Sequence, residues 1–163
     1  MLNGDGLRVV LWVSGCNHKC KGCHNPVTWD CNDGIEFDEN AKNEIFHELE
    51  KDYIEGITFS GGDPLHPANV ETITLLAKEI AEKYPDKNMW LYTGGSWKNV
   101  IADSKANALL PYIKVMVDGE FVQDKADVTL LWKGSSNQKV IDVQATLAND
   151  NKENPVLYCG DYE

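Results

Sequence analysis

Cys16, Cys20 and Cys23 follow one another at C-x3-C-x2-C spacing in the run Gly15-Cys16-Asn17-His18-Lys19-Cys20-Lys21-Gly22-Cys23-His24-Asn25. Thiolates are soft metal ligands. A dense group of them in a reducing compartment suits metal binding better than a disulfide framework. The total of five cysteines is odd, which also fits disulfide pairing poorly. Two metal readings stand. Three thiolates can fix three irons of a cubane iron–sulfur cluster and leave the fourth iron without a protein ligand, whereas fully ligated clusters take four cysteines. An open position is what a catalytic metal keeps and a structural metal lacks. Alternatively, a structural zinc takes the three thiolates with His18 or His24 as its fourth ligand, in a zinc-stabilised interaction module. The second, distant cysteine pair common in zinc modules is absent, although Cys31 and Cys159 are available singly. Those two match no motif and read as spare thiols.

The elements that must position this loop follow from hydrophobic periodicity. Leu7 to Val13 reads as a buried strand, and Ser14 to Gly34 as a loop rich in Cys, Asn and Gly. Asp38 is an N-cap for a helix through Lys51. Gly56 to Ser60 is a strand ending at Gly61-Gly62-Asp63-Pro64. A helix from Pro67 to Tyr84 carries the apolar stripe Val70, Ile73, Leu76, Ala77, Ile80 and Ala81, and Pro85 stops it. Met89 to Tyr92 is a strand, Trp97 to Ala102 a helix, and Ile113 to Val117 a strand closed by Asp118-Gly119. Val140 to Val143 is a further strand, and the polar tail from Asn149 to Glu163 is loosely held. Trp12, Trp90 and Trp132 read as core. Strand–helix alternation implies parallel βαβ units with ligands beyond the carboxyl ends of the strands. The cysteine loop, Gly61-Gly62, Thr93-Gly94 and Asp118-Gly119 all fall at that end. A full eight-stranded barrel takes about 250 residues. An α/β fold with an open, partial βα barrel of mainly parallel strands is therefore expected, with residues 1–163 as one domain.

With 163 residues the chain can bury about 70% of its unfolded surface. A net charge of −11 argues against nucleic-acid or anionic-membrane binding. No apolar stretch reaches the ~18 residues of a membrane span. Met1-Leu2-Asn3-Gly4 is too short and polar for a signal peptide, so a cytoplasmic protein is expected.

The three-cysteine motif after the first strand resembles the radical S-adenosylmethionine (SAM) superfamily. More narrowly, the chain resembles the activating proteins of anaerobic (class III) ribonucleoside-triphosphate reductases. That resemblance rests on Asn3 to Trp12, Cys23-His24-Asn25-Pro26-Val27-Thr28-Trp29, Ser60-Gly61-Gly62-Asp63-Pro64-Leu65, Leu91-Tyr92-Thr93-Gly94, Val117-Asp118-Gly119 and Lys133-Gly134-Ser135-Ser136-Asn137-Gln138-Lys139. It implies a partial barrel of the radical SAM type. It also implies a [4Fe-4S] cluster on Cys16, Cys20 and Cys23 whose open iron chelates SAM. The SAM contacts it implies are Gly22, Cys23, His24, Gly61, Gly62, Asp63 and Asp118. Asp63 stands where the superfamily often has Glu. Gly22 stands where many members have an aromatic, so either His24 supplies the adenine platform or it is a plain loop histidine. For Thr93 and Met116 a role in the strand ends is favoured over a SAM contact. Asn137 and its neighbours are either partner contacts or a Gly/Ser turn.

The implied reaction is one-electron cleavage of SAM to a 5′-deoxyadenosyl radical, which takes a Cα hydrogen from a glycine of the large reductase subunit. The resemblance points to a flavodoxin-type electron donor and to no general acid or base. Activation of another glycyl-radical enzyme and a small-molecule radical SAM reaction are the enzymatic alternatives.

Overall fold

The computed structural model describes residues 3–160. The expectations for Met1 and Leu2, and for the last three residues of the tail, lie outside the described residues. A six-stranded sheet runs in the order β1-β2-β3-β4-β5-β6. β1 (Arg8–Val13), β2 (Gly56–Gly61), β3 (Asn88–Tyr92) and β4 (Val115–Asp118) are parallel. Parallel neighbours need long crossovers. Here α1 (Glu39–Leu49), α2 (Val70–Lys83), and the pair α3 (Trp97–Ala102) and α4 (Ser104–Leu109) supply them. Asp38, Ser96 and Asp103 cap α1, α3 and α4 through side-chain oxygens that accept backbone N–H groups at 2.8–3.4 Å.

β5 (Lys139–Asp142) reverses direction against β4, and β6 (Val156–Leu157), after α5 (Val143–Ala148), runs antiparallel to β5. The reversal has a local cause. The segment from Gly119 to Gln138 contains no α-helix and folds back on itself, with Ala126 bridging Ser135 and Ser136 N–H donating to the Lys125 carbonyl at 2.9 Å. The sheet order places β1 and β6 at opposite edges, so the sheet is open and mostly parallel and does not close into a barrel.

Successive strand residues face opposite sides, and two cores result. Phe59, Met89, Leu91, Met116 and Ile141 pack under α1, α2 and α4 against Leu49, Ile73, Ile80 and Leu109. On the other face Trp90, Val115, Val117 and Val140 gather with Trp132, Tyr92 and Tyr158. Trp132 meets Trp90 edge-on at 5.4 Å, and Tyr158 does the same.

The first strand corrects two expectations. β1 is an edge strand with half-buried residues rather than a buried one, and Trp12 on it is 53% exposed, not core. A strand with one neighbour covers fewer of its side chains. The long helix begins at Val70 rather than Pro67 because residues 67–69 form a turn. There the Asn69 amide donates to the carbonyls of Ser14 and Asp63 at 2.8 and 3.0 Å.

Candidate functional site

The register of the parallel strands aligns their carboxyl ends. Val13 pairs with Gly61, Phe59 with Leu91 and Tyr92 with Val117. The cysteine loop therefore leaves the sheet beside the Gly61-Gly62 turn. Backbone bonds lock it there: Gly15 N–H donates to Thr28 O at 2.7 Å, Cys16 N–H to Trp29 O at 3.0 Å, and Asp63 N–H to Gly15 O at 2.8 Å. Pro26–Thr28 form a 3-10 turn that returns the chain to Cys16, and Lys19 turns it through a left-handed φ of 48°.

An open cavity of about 130 Å³ lies at this end. Cys16, Cys20 and Cys23 all line it, together with Gly61, Gly62, Thr93, Tyr92, His18, Trp29 and Phe121. All three cysteines are free thiols. Burial pushes the Cys16 and Cys20 thiols above their ordinary range, so a metal group that takes them as thiolates must release their protons. The Cys23 sulfur accepts the Asn25 N–H at 3.4 Å. Among the described residues, no three His, Cys, Asp or Glu side chains close on one point as a single metal ion requires. The three thiols border one open cavity.

The two glycines opposite the cysteines leave backbone bare. A Cβ on Gly62 would sit 2.6 Å from Gly15 O and 2.8 Å from Thr28 O. Gly61 has φ +105°, and a Cβ there would lie 2.5 Å from backbone atoms of Val13. Only glycine allows the turn and the loop to approach this closely.

His18 sits at the centre of the polar wall. Its Nε2–H donates to Asp63 Oδ2 at 2.8 Å and its Nδ1–H to Glu120 Oε1 at 2.9 Å. The hydrogen bond to Asp63 leads in raising the imidazole to about 9, the bond to Glu120 adds to it, and partial burial opposes both. Both ring nitrogens are engaged by carboxylates, and the ring joins three loops. Asp63 is buried and saturated: it also accepts the Thr93 hydroxyl at 3.0 Å and Leu65 N–H at 2.9 Å.

The other expected residues divide. Gly22 is exposed with φ +76°, and its Cβ would meet Gln123. His24 is exposed and tilts onto Phe121 at 5.3 Å, which connects it to the cavity wall. Asp118 is brought to the same rim, but its carboxylate is buried and accepts Trp97 N–H and Lys139 N–H, both at 2.9 Å. It joins α3 to β5 and does not line the cavity. Met116 is fully buried core. Asn137 donates to Glu120 O at 2.9 Å, and the Gln138 amide ties Gly119 to Gly134 and Ser135, so this run braces a loop from within. Cys31 and Cys159 are exposed and stand apart from the cavity lining. Trp29, Tyr92 and Phe121 were not expected as site residues, and His18 only as a candidate fourth zinc ligand. Of the four, only His18 is singled out by its place, between Cys16 and Cys20.

Residues 2–141 match the family described as a 4Fe-4S single cluster domain. The chain is 44% identical over 140 residues to the anaerobic ribonucleoside-triphosphate reductase-activating protein of Haemophilus influenzae, covering 85% of this chain and 89% of that one. The chain belongs to the anaerobic ribonucleoside-triphosphate reductase-activating protein family. Two more members show the breadth of this activating-protein family. The Escherichia coli K12 protein is 43% identical over 86% of this chain and 91% of its own. The Enterobacteria phage T4 protein is 40% identical over 85% and 86%. No solved structure matches the chain. No helix among the described residues is long and apolar enough to cross a membrane.

Proposed function

We propose that this protein activates an anaerobic ribonucleoside-triphosphate reductase by radical SAM chemistry, within a partial barrel that the open sheet and its rim loops form. The observation that carries the reading is the meeting of three free thiols and the bare Gly61-Gly62 backbone in one cavity, in a chain of the activating-protein family. Cys16, Cys20 and Cys23 hold a [4Fe-4S] cluster with one iron left open for SAM. Once bound, the cluster and SAM together supply a 5′-deoxyadenosyl radical, which takes a Cα hydrogen from a glycine of the large reductase subunit. The chain's own part is to bind, orient and shield. Backbone groups of Gly61 and Gly62, with those of Gly22, Cys23 and His24, receive SAM. The His24–Phe121 pair offers the aromatic surface for adenine. His18 and Asp63 hold the loops in register, and Asp118 fixes the rim from beneath. A glycine target suits this mouth because a residue without a side chain brings its Cα furthest in. The electron donor is of the flavodoxin type, and the setting is the cytoplasm.

The test is anaerobic reconstitution with iron and sulfide, reduction, addition of SAM, and measurement of 5′-deoxyadenosine. Release by the wild type and none from Cys16→Ala, Cys20→Ala or Cys23→Ala is expected. Colourless wild-type protein carrying stoichiometric zinc under the same conditions would sink the reading. Appearance of a glycyl-radical EPR signal when the reductase is added checks the partner.

A further inference from the structure

Among the described residues, two buried side-chain polar atoms lack a hydrogen-bond partner: Trp29 Nε1 and Asn88 Oδ1. Buried polar groups are nearly always paired in folded proteins, so the unpaired Trp29 donor asks for an acceptor. An indole nitrogen can only donate. Trp29 belongs to the cavity wall, alongside Cys16, Cys20 and Cys23. It is also tied to the first of these cysteines, because its backbone carbonyl accepts Cys16 N–H at 3.0 Å. The orphaned N–H thus belongs to a side chain of the wall that also carries Cys16, Cys20 and Cys23.

We propose that the Trp29 indole donates its Nε1–H to a sulfur of the cluster held by Cys16, Cys20 and Cys23, and so raises the potential at which that cluster takes up an electron. The proposal rests on the three-thiol reading above. Its physics is general. Hydrogen bonds to cluster sulfurs are among the factors that set reduction potentials. One electron from a low-potential reductant adds one negative charge to the cluster and makes its sulfurs better acceptors. A donor therefore stabilises the reduced form more than the oxidised one. In this role Trp29 is a positioning and tuning residue that forms no bond to SAM.

The experiment compares wild-type and Trp29→Phe protein, each loaded anaerobically with iron and sulfide and poised across a range of potentials, with the reduced cluster counted by EPR. Phenylalanine keeps an aromatic ring and removes only the donor. At a fixed potential the reduced-to-oxidised ratio of Trp29→Phe is expected to fall about tenfold, a shift of about 59 mV to more negative values for a one-electron couple. Equal ratios overturn the proposal. If Trp29→Phe loads no cluster, wild-type protein carrying 15N-indole tryptophan decides. Coupling of the reduced cluster to an exchangeable proton on 15N supports the assignment, because Trp29 is the tryptophan in this wall. No coupling overturns it, and so does a coupling that appears only after SAM is added. Wild-type protein that binds no iron and sulfide sinks the three-thiol reading, and the proposal with it, before any potential is measured. A loaded cluster with unchanged potential sinks the role of Trp29 alone.

Discussion

His18 shows how a residue can matter without touching the reacting atoms. Its two ring N–H groups reach carboxylates 45 and 102 positions away in sequence. Removing the ring leaves the buried Asp63 carboxylate without its cation, a loss of about 1–3 kcal/mol. His18→Ala is therefore expected to loosen the cysteine loop in the cofactor-free protein. Trypsin reports this directly, because Lys19 and Lys21 are exposed in that loop; cleavage there should accelerate in His18→Ala and stay slower in His18→Gln, which keeps a donor. Unchanged cleavage would refute the clasp. The three thiols were legible in the sequence because ligand spacing is a local property. The clasp was not, since nothing in the sequence says that Glu120 returns to position 18.

At the scale of elements, the strands and long helices were legible from periodicity, and Asp38 as an N-cap from its place before the apolar stripe. The helices α4 and α5, six residues each like α3, were not expected; α4 follows α3 with only Asp103 between them, and α5 begins at Val143, which reads as the end of the preceding strand. Trp12 misled for a different reason: its type says core, but burial depends on β1 having a neighbour on one side only. Asp118 carries a prediction at this level. Both its oxygens accept backbone N–H groups, one opening α3 and one opening β5. Asp118→Asn turns one acceptor into a donor facing a donor. A cost of about 1–3 kcal/mol is expected in the urea unfolding midpoint of the cofactor-free protein. A carboxylate serving only a bound ligand would leave that midpoint where it is.

Across the whole molecule, the tail closes the second core. Tyr158 packs against both Trp90 and Trp132, and Trp132 adopts φ +60°, a conformation non-glycine residues hold only when packing enforces it. The sequence showed a polar tail with one apolar triplet. It could not show that the triplet is the far edge of the sheet. Truncation after Asn149 removes β6 and Tyr158, and a loss of about 3–5 kcal/mol is expected by thermal or urea unfolding, in line with emptying an aromatic core position. Equal stability of the truncated chain would mean the tail is ornamental. The long-range clasp at His18 also has a consequence in time. A ribosome makes 5–20 residues per second, so the thiols exist for roughly 5–20 s before Glu120, 102 residues later, is made. Through that interval they hang from a nascent chain with no wall around them. A metal group delivered then would meet thiols of no fixed geometry, so under the proposed function the cysteine loop gains its fixed shape only once Glu120 has joined the fold.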